Sequence, residues 1–300
     1  MIPKSFEYVC PTSLDQAVSY LDRFGSNCKV LAGGQSLLPL MKLRLASPKY
    51  LVDITRISDL EYIRETNDGK FLTIGPLTRH HAIEKSDLVK KKAQIMTEAA
   101  SMIGDPQVRN SGTIGGSLVH ADPAADWPAV MIALDSTLKV VSSLGEREIS
   151  AENFFVDSLT TAMESKELLT EIRVPLSEWE SSASIRTGGA YEKLERKTQD
   201  FATVGVAAQI SIDSTSKTCS KVGIGLASVA EKTIRAKKAE EILIGTPVTR
   251  SKIEEAAEAA SQESRPTDDL LRGSAEYKKA MTRVFTERAL TRALSHATKV

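Results

Sequence analysis

Between residues 111 and 129 the chain reads SGTIGGSLVHADPAADWPA, a run with three glycines, two of them adjacent, and two prolines. Glycine loses more conformational freedom on folding than any other residue, so such a run implies main chain that approaches something closely. A second pair, Gly33 and Gly34, lies in VLAGGQSLLP at the end of an apolar strand candidate. Paired glycines leave successive N–H groups bare and able to turn toward an anion. One Gly-Gly pair alone reads as a tight turn. Two of them, each followed by short polar residues (Gln35 and Ser36; Ser117), suit a fold that brings two distant loops onto one diphosphate.

The rest of the chain reads as an α+β protein. TSLDQAVSYLDRF is a capped helix with Leu14, Ala17, Val18 and Leu21 at helical spacing, ending at Gly25. Residues 37–45 are expected to run helically, and KYLVDIT reads as a buried strand. FLTIGPLTRHHAIEKS reads as strand, turn and helix start, KKKAQIMTEAASMIG as one helix, AVMIALDSTLKVVSS as a short helix entering a strand, and KELLTEIRVP as a strand. Strands and helices do not alternate as in a doubly wound parallel sheet. The polar stretch 178–189 is the expected boundary. Beyond it ATVGVAAQISID and TCSKVGIGLASVA read as strands joined through STSK, followed by helices over 233–244, 250–264 and 275–296. The expected division is 1–177, with subdomains near 1–57 and 58–177, and a smaller α+β domain over 178–300.

Composition removes several function classes. Lys plus Arg equals Asp plus Glu at 39 each, so no net field draws the chain to nucleic acid or an anionic membrane. No apolar run reaches the roughly 18 residues of a membrane span, and the N-terminus has no signal-peptide core, which implies a cytoplasmic protein. Cys10, Cys28 and Cys219 are three and far apart, against a disulfide framework or an iron–sulfur cluster on this chain. No P-loop or nucleophile elbow is present. GIGLAS, residues 223–228, lacks the third glycine of a dinucleotide fingerprint and reads as a strand with close backbone packing. Asp122 and Asp126 have no His or Glu at ligand spacing, so no metal is expected; Asp122 reads as a turn residue and Asp126 as an acceptor for a ligand hydroxyl. A structural role is expected for His80, His81 and His296, while His120, inside the glycine-rich run, is placed to meet a ligand. In YEKLERKTQDFA, Tyr191 and Lys193 share one face of a strand, directed to a cleft between domains.

AGGQSLLPLMKLRLASPKYLVDI, TIGGSLVHADPAADWPA and AYEKLERKTQDFA together closely resemble the FAD-binding medium subunits of the carbon monoxide dehydrogenase, xanthine dehydrogenase and aldehyde oxidoreductase family. The resemblance implies a vanillyl-alcohol-oxidase-type flavoprotein fold, with FAD between two N-terminal α+β subdomains and a C-terminal domain alongside. It puts Val30, Leu31, Ala32, Gly33, Gly34, Gln35, Ser36 and Leu37 on the FAD pyrophosphate. Thr113, Ile114, Gly115, Gly116 and Ser117 would cover the pyrophosphate and ribityl region from the opposite side. It matches Asp126, Ile103 and Leu169 to cofactor contacts and Lys193 to a lysine near the flavin ring. Many relatives carry histidine where this chain has Gln35. The implied partners are a large molybdenum-cofactor subunit and a small [2Fe-2S] subunit in a dimer of heterotrimers, with electrons passing from the clusters to FAD and on to an external acceptor. No catalytic acid or base is expected on this chain. A stand-alone flavin oxidase or reductase and a non-catalytic scaffold are the alternatives.

Overall fold

The computed structural model describes residues 2–180 and 182–298. The first layer is built from β1 (Glu7–Val9), α1 (Leu14–Phe24), β2 (Cys28–Leu31), α2 (Leu37–Lys42) and β3 (Tyr50–Asp53). The strands form a parallel sheet in the order β1-β3-β2. Ser13 caps α1 by accepting from the Gln16 N–H, and Ala17, Val18 and Leu21 are the buried stripe that the spacing predicts. A parallel sheet sends each strand's carboxyl end into a crossover, and β2 opens there into residues 32–36, a place where ligands commonly dock.

The second layer begins with β4 (Ile63–Glu65) and β5 (Phe71–Ile74). A run of helices follows: α3 (His80–Lys85), α4 (Asp87–Lys92), α5 (Gln94–Ser101), α6 (Pro106–Ser111), α7 (Ile114–His120) and α8 (Asp126–Ala133). It closes with β6 (Thr137–Ser142), β7 (Gly145–Ser150), α9 (Ala151–Phe154), the ribbon β8 (Phe155–Asp157) and β9 (Thr160–Thr161), and β10 (Leu168–Pro175). Five of these strands make an antiparallel sheet in the order β4-β5-β10-β6-β7. The single helix expected over KKKAQIMTEAASMIG is two: Ser86 caps α4, the lysines at its end complement the helix dipole, and Ala93 at φ −151° breaks the run. The short helix begun at Asp126 is buried along its whole length, as a helix apolar on all sides must be.

The C-terminal part carries β11 (Ile185–Glu195), β12 (Ala202–Asp213), β13 (Cys219–Ala227), β14 (Ile234–Arg235), α10 (Lys237–Leu243), α11 (Arg250–Glu263) and α12 (Ala275–Thr298). The helix expected over 233–244 is shorter because residues 234 and 235 pair with β13 instead. The antiparallel sheet, in the order β11-β12-β13-β14, packs α12 and α10 on one face, with α11 against both helices. Its other face receives α8: Tyr191, Ala207 and Ala227 join the core that contains Trp127, Ala129 and Ala133. The glycines of GIGLAS make this possible, since a Cβ at Gly223 or Gly225 would lie 2.1 Å from the carbonyl oxygen of Ala133 or Ala129. Among the described residues no helix is long and apolar enough to cross a membrane.

Candidate functional site

The two glycine loops meet. Ser111 Oγ donates to the Gly33 carbonyl at 2.9 Å, and a Cβ at Gly33 would stand 2.4 Å from the Ser111 carbonyl oxygen and 2.7 Å from Gly112 Cα. Val30 and Leu31 end β2, in register with Val52 and Asp53, and so fix where the first loop leaves the sheet. Beside the contact lies a cavity of about 90 Å³ whose lining includes Ala32, Gly33, Thr55, Arg79, Ser111 and Thr113. Arg79 is held there by donating to the Asn110 carbonyl.

The loops differ in what they offer a ligand. In the first, the backbone N–H groups of Ala32, Gly33, Gly34, Gln35, Ser36 and Leu37 donate to no acceptor among the described residues. Ser36 leaves α2 without a side-chain cap, and Gly34 sits at φ +71°, where L side chains are strained. Unpaired main-chain donors in succession are what an anion-binding cradle requires.

The second loop does not offer a matching set, contrary to the expectation of two nests. Ile114 N–H donates to Thr78 O (3.0 Å), Gly115 N–H to Pro76 O (2.9 Å), Gly116 N–H to Thr113 Oγ1 (3.1 Å) and Ser117 N–H to Thr113 O (3.1 Å). Thr113 is the N-cap of α7, and its hydroxyl takes the donor that a nest would have turned outward. Gly115 is required by packing, because a Cβ there would lie 2.4 Å from Pro76 Cβ. Gly116 is exposed, and its vacant side faces Ala32 across the seam. Asp122 makes the expected turn, accepting from the Ala124 N–H.

A second group lies where α8 meets β11. Tyr191 and Lys193 do share one strand face, and both point to Asp126: Tyr191 Oη donates to Oδ1 at 2.6 Å and Lys193 Nζ to Oδ2 at 3.2 Å. Lys193 also donates to the Met102 carbonyl at 3.0 Å, which draws in the adjoining Ile103. Leu169 is buried in β10 opposite Val140. Asp126, expected as an acceptor for a ligand hydroxyl, already accepts one hydrogen bond on each oxygen from within the protein and is buried, so what acceptor capacity remains lies on the second lone pairs of its oxygens. Burial pushes the Asp126 carboxyl up, opposed by Lys193 and Tyr191, and burial beside Asp126 holds the Tyr191 phenol well above its ordinary value.

The next residue, Trp127, donates Nε1–H to His80 Nδ1 at 3.0 Å. His80 is buried against Gly112, and burial, with Arg109 adding, pushes its pKa down to about 4, so the ring is neutral. His120 ends α7 half-buried, and its side chain makes no hydrogen bond among the described residues.

Residues 4–177 match the family described as the FAD binding domain in molybdopterin dehydrogenase, and residues 189–293 match the CO dehydrogenase flavoprotein C-terminal domain. The chain belongs to this flavoprotein family. It is 41% identical over 98% of both chains to the carbon monoxide dehydrogenase medium chain of Hydrogenophaga pseudoflava. It is 37% identical, over 96% of this chain and 98% of the other, to the glyceraldehyde dehydrogenase medium chain of Sulfolobus acidocaldarius. A solved carbon monoxide dehydrogenase structure from Hydrogenophaga pseudoflava superposes with a TM-score of 0.93 at 43% identity, covering 99% of this chain and 100% of that one.

The FAD-binding domain of this flavoprotein carries a donor set that fits its cofactor. FAD brings a diphosphate, and the row from Ala32 to Leu37 supplies unpaired dipoles for one without requiring a lysine. Sequence reasoning missed Ser111, Arg79 and Thr55 at the seam, while His80 behind it has the structural role expected of it. Only Ser111, a hydroxyl directly before the glycine-rich run, left a local signal.

Proposed function

We propose that this chain is the FAD-holding electron-transfer subunit of a molybdenum hydroxylase complex, gripping the FAD diphosphate on the main chain of Ala32–Leu37. The observation that carries this reading is the row of unpaired N–H groups in the loop that Ser111 ties to the second glycine loop. Thr113, Ile114, Gly115, Gly116 and Ser117 contribute shape rather than donors, with Gly116 leaving room beside Ala32. Ile103 and Leu169 supply apolar wall, and Lys193, seated by Asp126, orients the segment ending at Ile103. Val30 and Leu31 set the loop's exit from the sheet. When bound, FAD supplies a redox centre that the protein orients and tunes. No side chain here needs to move a substrate proton.

In this reading residues 1–177, with subdomains near 1–57 and 58–177, hold the cofactor, and residues 178–300 close over it. A large molybdenum-cofactor chain carries the substrate chemistry and a small [2Fe-2S] chain delivers electrons, in a cytoplasmic dimer of heterotrimers. Two relatives named for carbon monoxide are 41% and 39% identical, ahead of those named for 6-hydroxypseudooxynicotine and glyceraldehyde at 37% each, and on that margin carbon monoxide or an aldehyde is placed first as the complex's substrate.

The test is reconstitution. Purified chain incubated with FAD and desalted is expected to keep a flavin visible spectrum at one equivalent per chain. A chain that keeps its fold but returns no flavin absorbance removes the reading.

A further inference from the structure

The cavity at the seam carries two opposite charges that do not neutralise each other. Thr55, Glu61 and Arg79 are its exposed lining, and Leu77 and Thr113 are its buried lining. Among the described residues neither Glu61 nor Arg79 forms an ion pair, and the Glu61 carboxylate accepts no hydrogen bond. The main-chain cradle of Ala32–Leu37 uses neither side chain.

The backbone sets where each charge stands. Arg79 and Thr113 oppose each other in an antiparallel bridge, in which His80 N–H donates to Gly112 O and Ile114 N–H to Thr78 O, both at 3.0 Å. Residues opposed in this way exchange no hydrogen bonds themselves, so their side chains lie close on one face while their own N–H groups point away from the bridge. The Thr113 N–H is accordingly unpaired among the described residues, and its nitrogen would stand 3.0 Å from a Cβ at Gly33. Arg79 donates through one nitrogen to Asn110 O at 3.1 Å, which steadies the guanidinium and leaves most of its donors unspent. Glu61 follows the short helical turn Ser58–Leu60, and the Leu60 carbonyl accepts from Leu77 N–H at 2.8 Å. Thr55 is fixed by Asp53, which accepts from its N–H at 2.9 Å and from its hydroxyl at 2.7 Å.

A cation and a carboxylate on one small cavity, each left unpaired, suit a ligand that brings an anion for one and hydroxyl donors for the other. A phosphorylated sugar has both. We propose that this cavity takes the phosphate and ribose of the ADP half of FAD, with Arg79 paired to a phosphate oxygen and Glu61 accepting from the ribose hydroxyls. The inference rests on the FAD-holding reading and adds to it what selects FAD over FMN, which has one phosphate and no ribose. Loop dipoles alone supply partial charge, whereas a guanidinium adds a full one in a geometry that matches phosphate oxygens. A carboxylate is also the group that reads ribose hydroxyls in other dinucleotide sites. A bare phosphate ion would satisfy Arg79 but leave Glu61 as a repelling neighbour.

Titrations of the whole chain, stripped of flavin, test this with FAD, FMN and ADP as probes. Arg79→Gln and Glu61→Ala are each expected to raise the dissociation constants of FAD and ADP about tenfold and to leave that of FMN unchanged. Arg79→Gln also flattens the salt dependence of FAD binding, and Arg79→Lys restores it. Both side chains are exposed, so the melting temperatures are expected to match that of the unaltered chain. Unchanged or tightened binding of FAD and ADP in either variant, or an equal loss of FMN, overturns the assignment. A chain that binds ADP through Arg79 and Glu61 but holds no FAD keeps this subsite and removes the electron-transfer reading. One that binds neither FAD nor ADP removes both.

Discussion

Ser111 Oγ donates to the carbonyl of Gly33 at 2.9 Å, tying together two loops 78 residues apart. The contact is as close as it is because Gly33 has no side chain, and the atoms facing the vacancy are main chain of Ser111 and Gly112. Gly33→Ala is therefore expected to push the loops apart. Backbone cannot swing aside as a side-chain tip can, and overpacking of this kind costs about 1–3 kcal/mol. Denaturant melts and flavin absorbance per chain check it: lowered stability together with lost FAD is expected, and full FAD retention counts against the seam as the cofactor site.

Adjacent glycines in the second loop should behave differently. A Cβ at Gly115 meets Pro76, including its backbone, at 2.4–2.8 Å, whereas at Gly116 it meets Thr113 Oγ1 at 2.9 Å and is otherwise open. Gly115→Ala is expected to destabilise the fold by about 1–3 kcal/mol. Gly116→Val is expected to cost less stability than Gly115→Ala, only the Thr113 hydroxyl having to shift, and to remove FAD by filling the space beside Ala32. Equal loss of stability in both variants would show that Gly116, too, serves only packing.

Local pattern made some of this legible. The buried stripe of α1 and the shared face of Tyr191 and Lys193 follow from helical and strand periods, which are properties of neighbouring residues. The close approach at Gly223 and Gly225 was readable because a strand seldom carries two glycines without reason. What was hidden is where hydrogen bonds end. Ile114 and Gly115 spend their N–H groups on Thr78 and Pro76, and Asp126 spends its oxygens on residues 65 and 67 positions away. No local signal distinguishes a glycine pair with free donors from one whose donors are taken. The family resemblance named both loops, which do meet at Ser111 and Gly33, without telling their donor inventories apart.

His80 provides a pH-dependent reading of the support behind the seam. Its pKa falls from 6.5 to about 4 on folding because the buried ring resists charge. Between those values the unfolded chain binds the extra proton, so this contribution to stability is complete above pH 6.5 and is lost as pH falls toward 4. The interval corresponds to about 3 kcal/mol. His80→Asn, which keeps an acceptor for Trp127 but cannot titrate, is expected to be less stable than the unaltered chain at pH 7, with the difference narrowing steadily toward pH 4. A difference independent of pH in paired urea titrations would contradict this.

Asp126 and Lys193 form a buried pair at 3.2 Å whose side chains are 6% and 2% exposed, which places its energetics in a strongly desolvated site. Removing one partner strands the other: Lys193→Met leaves a carboxylate held only by Tyr191, and Asp126→Asn leaves an ammonium with neutral acceptors, the Met102 carbonyl and the new amide oxygen, and the Glu195 carboxylate 4.0 Å away as its nearest counter-charge. Each single change is expected to cost about 3–5 kcal/mol, and the double change much less than their sum, because no buried charge remains to be compensated. A double-mutant cycle in guanidinium measures the coupling. The same proteins separate structure from cofactor binding: if Lys193 acts on FAD through the segment ending at Ile103, the double variant regains stability without regaining FAD affinity. Recovery of both would make the pair purely structural.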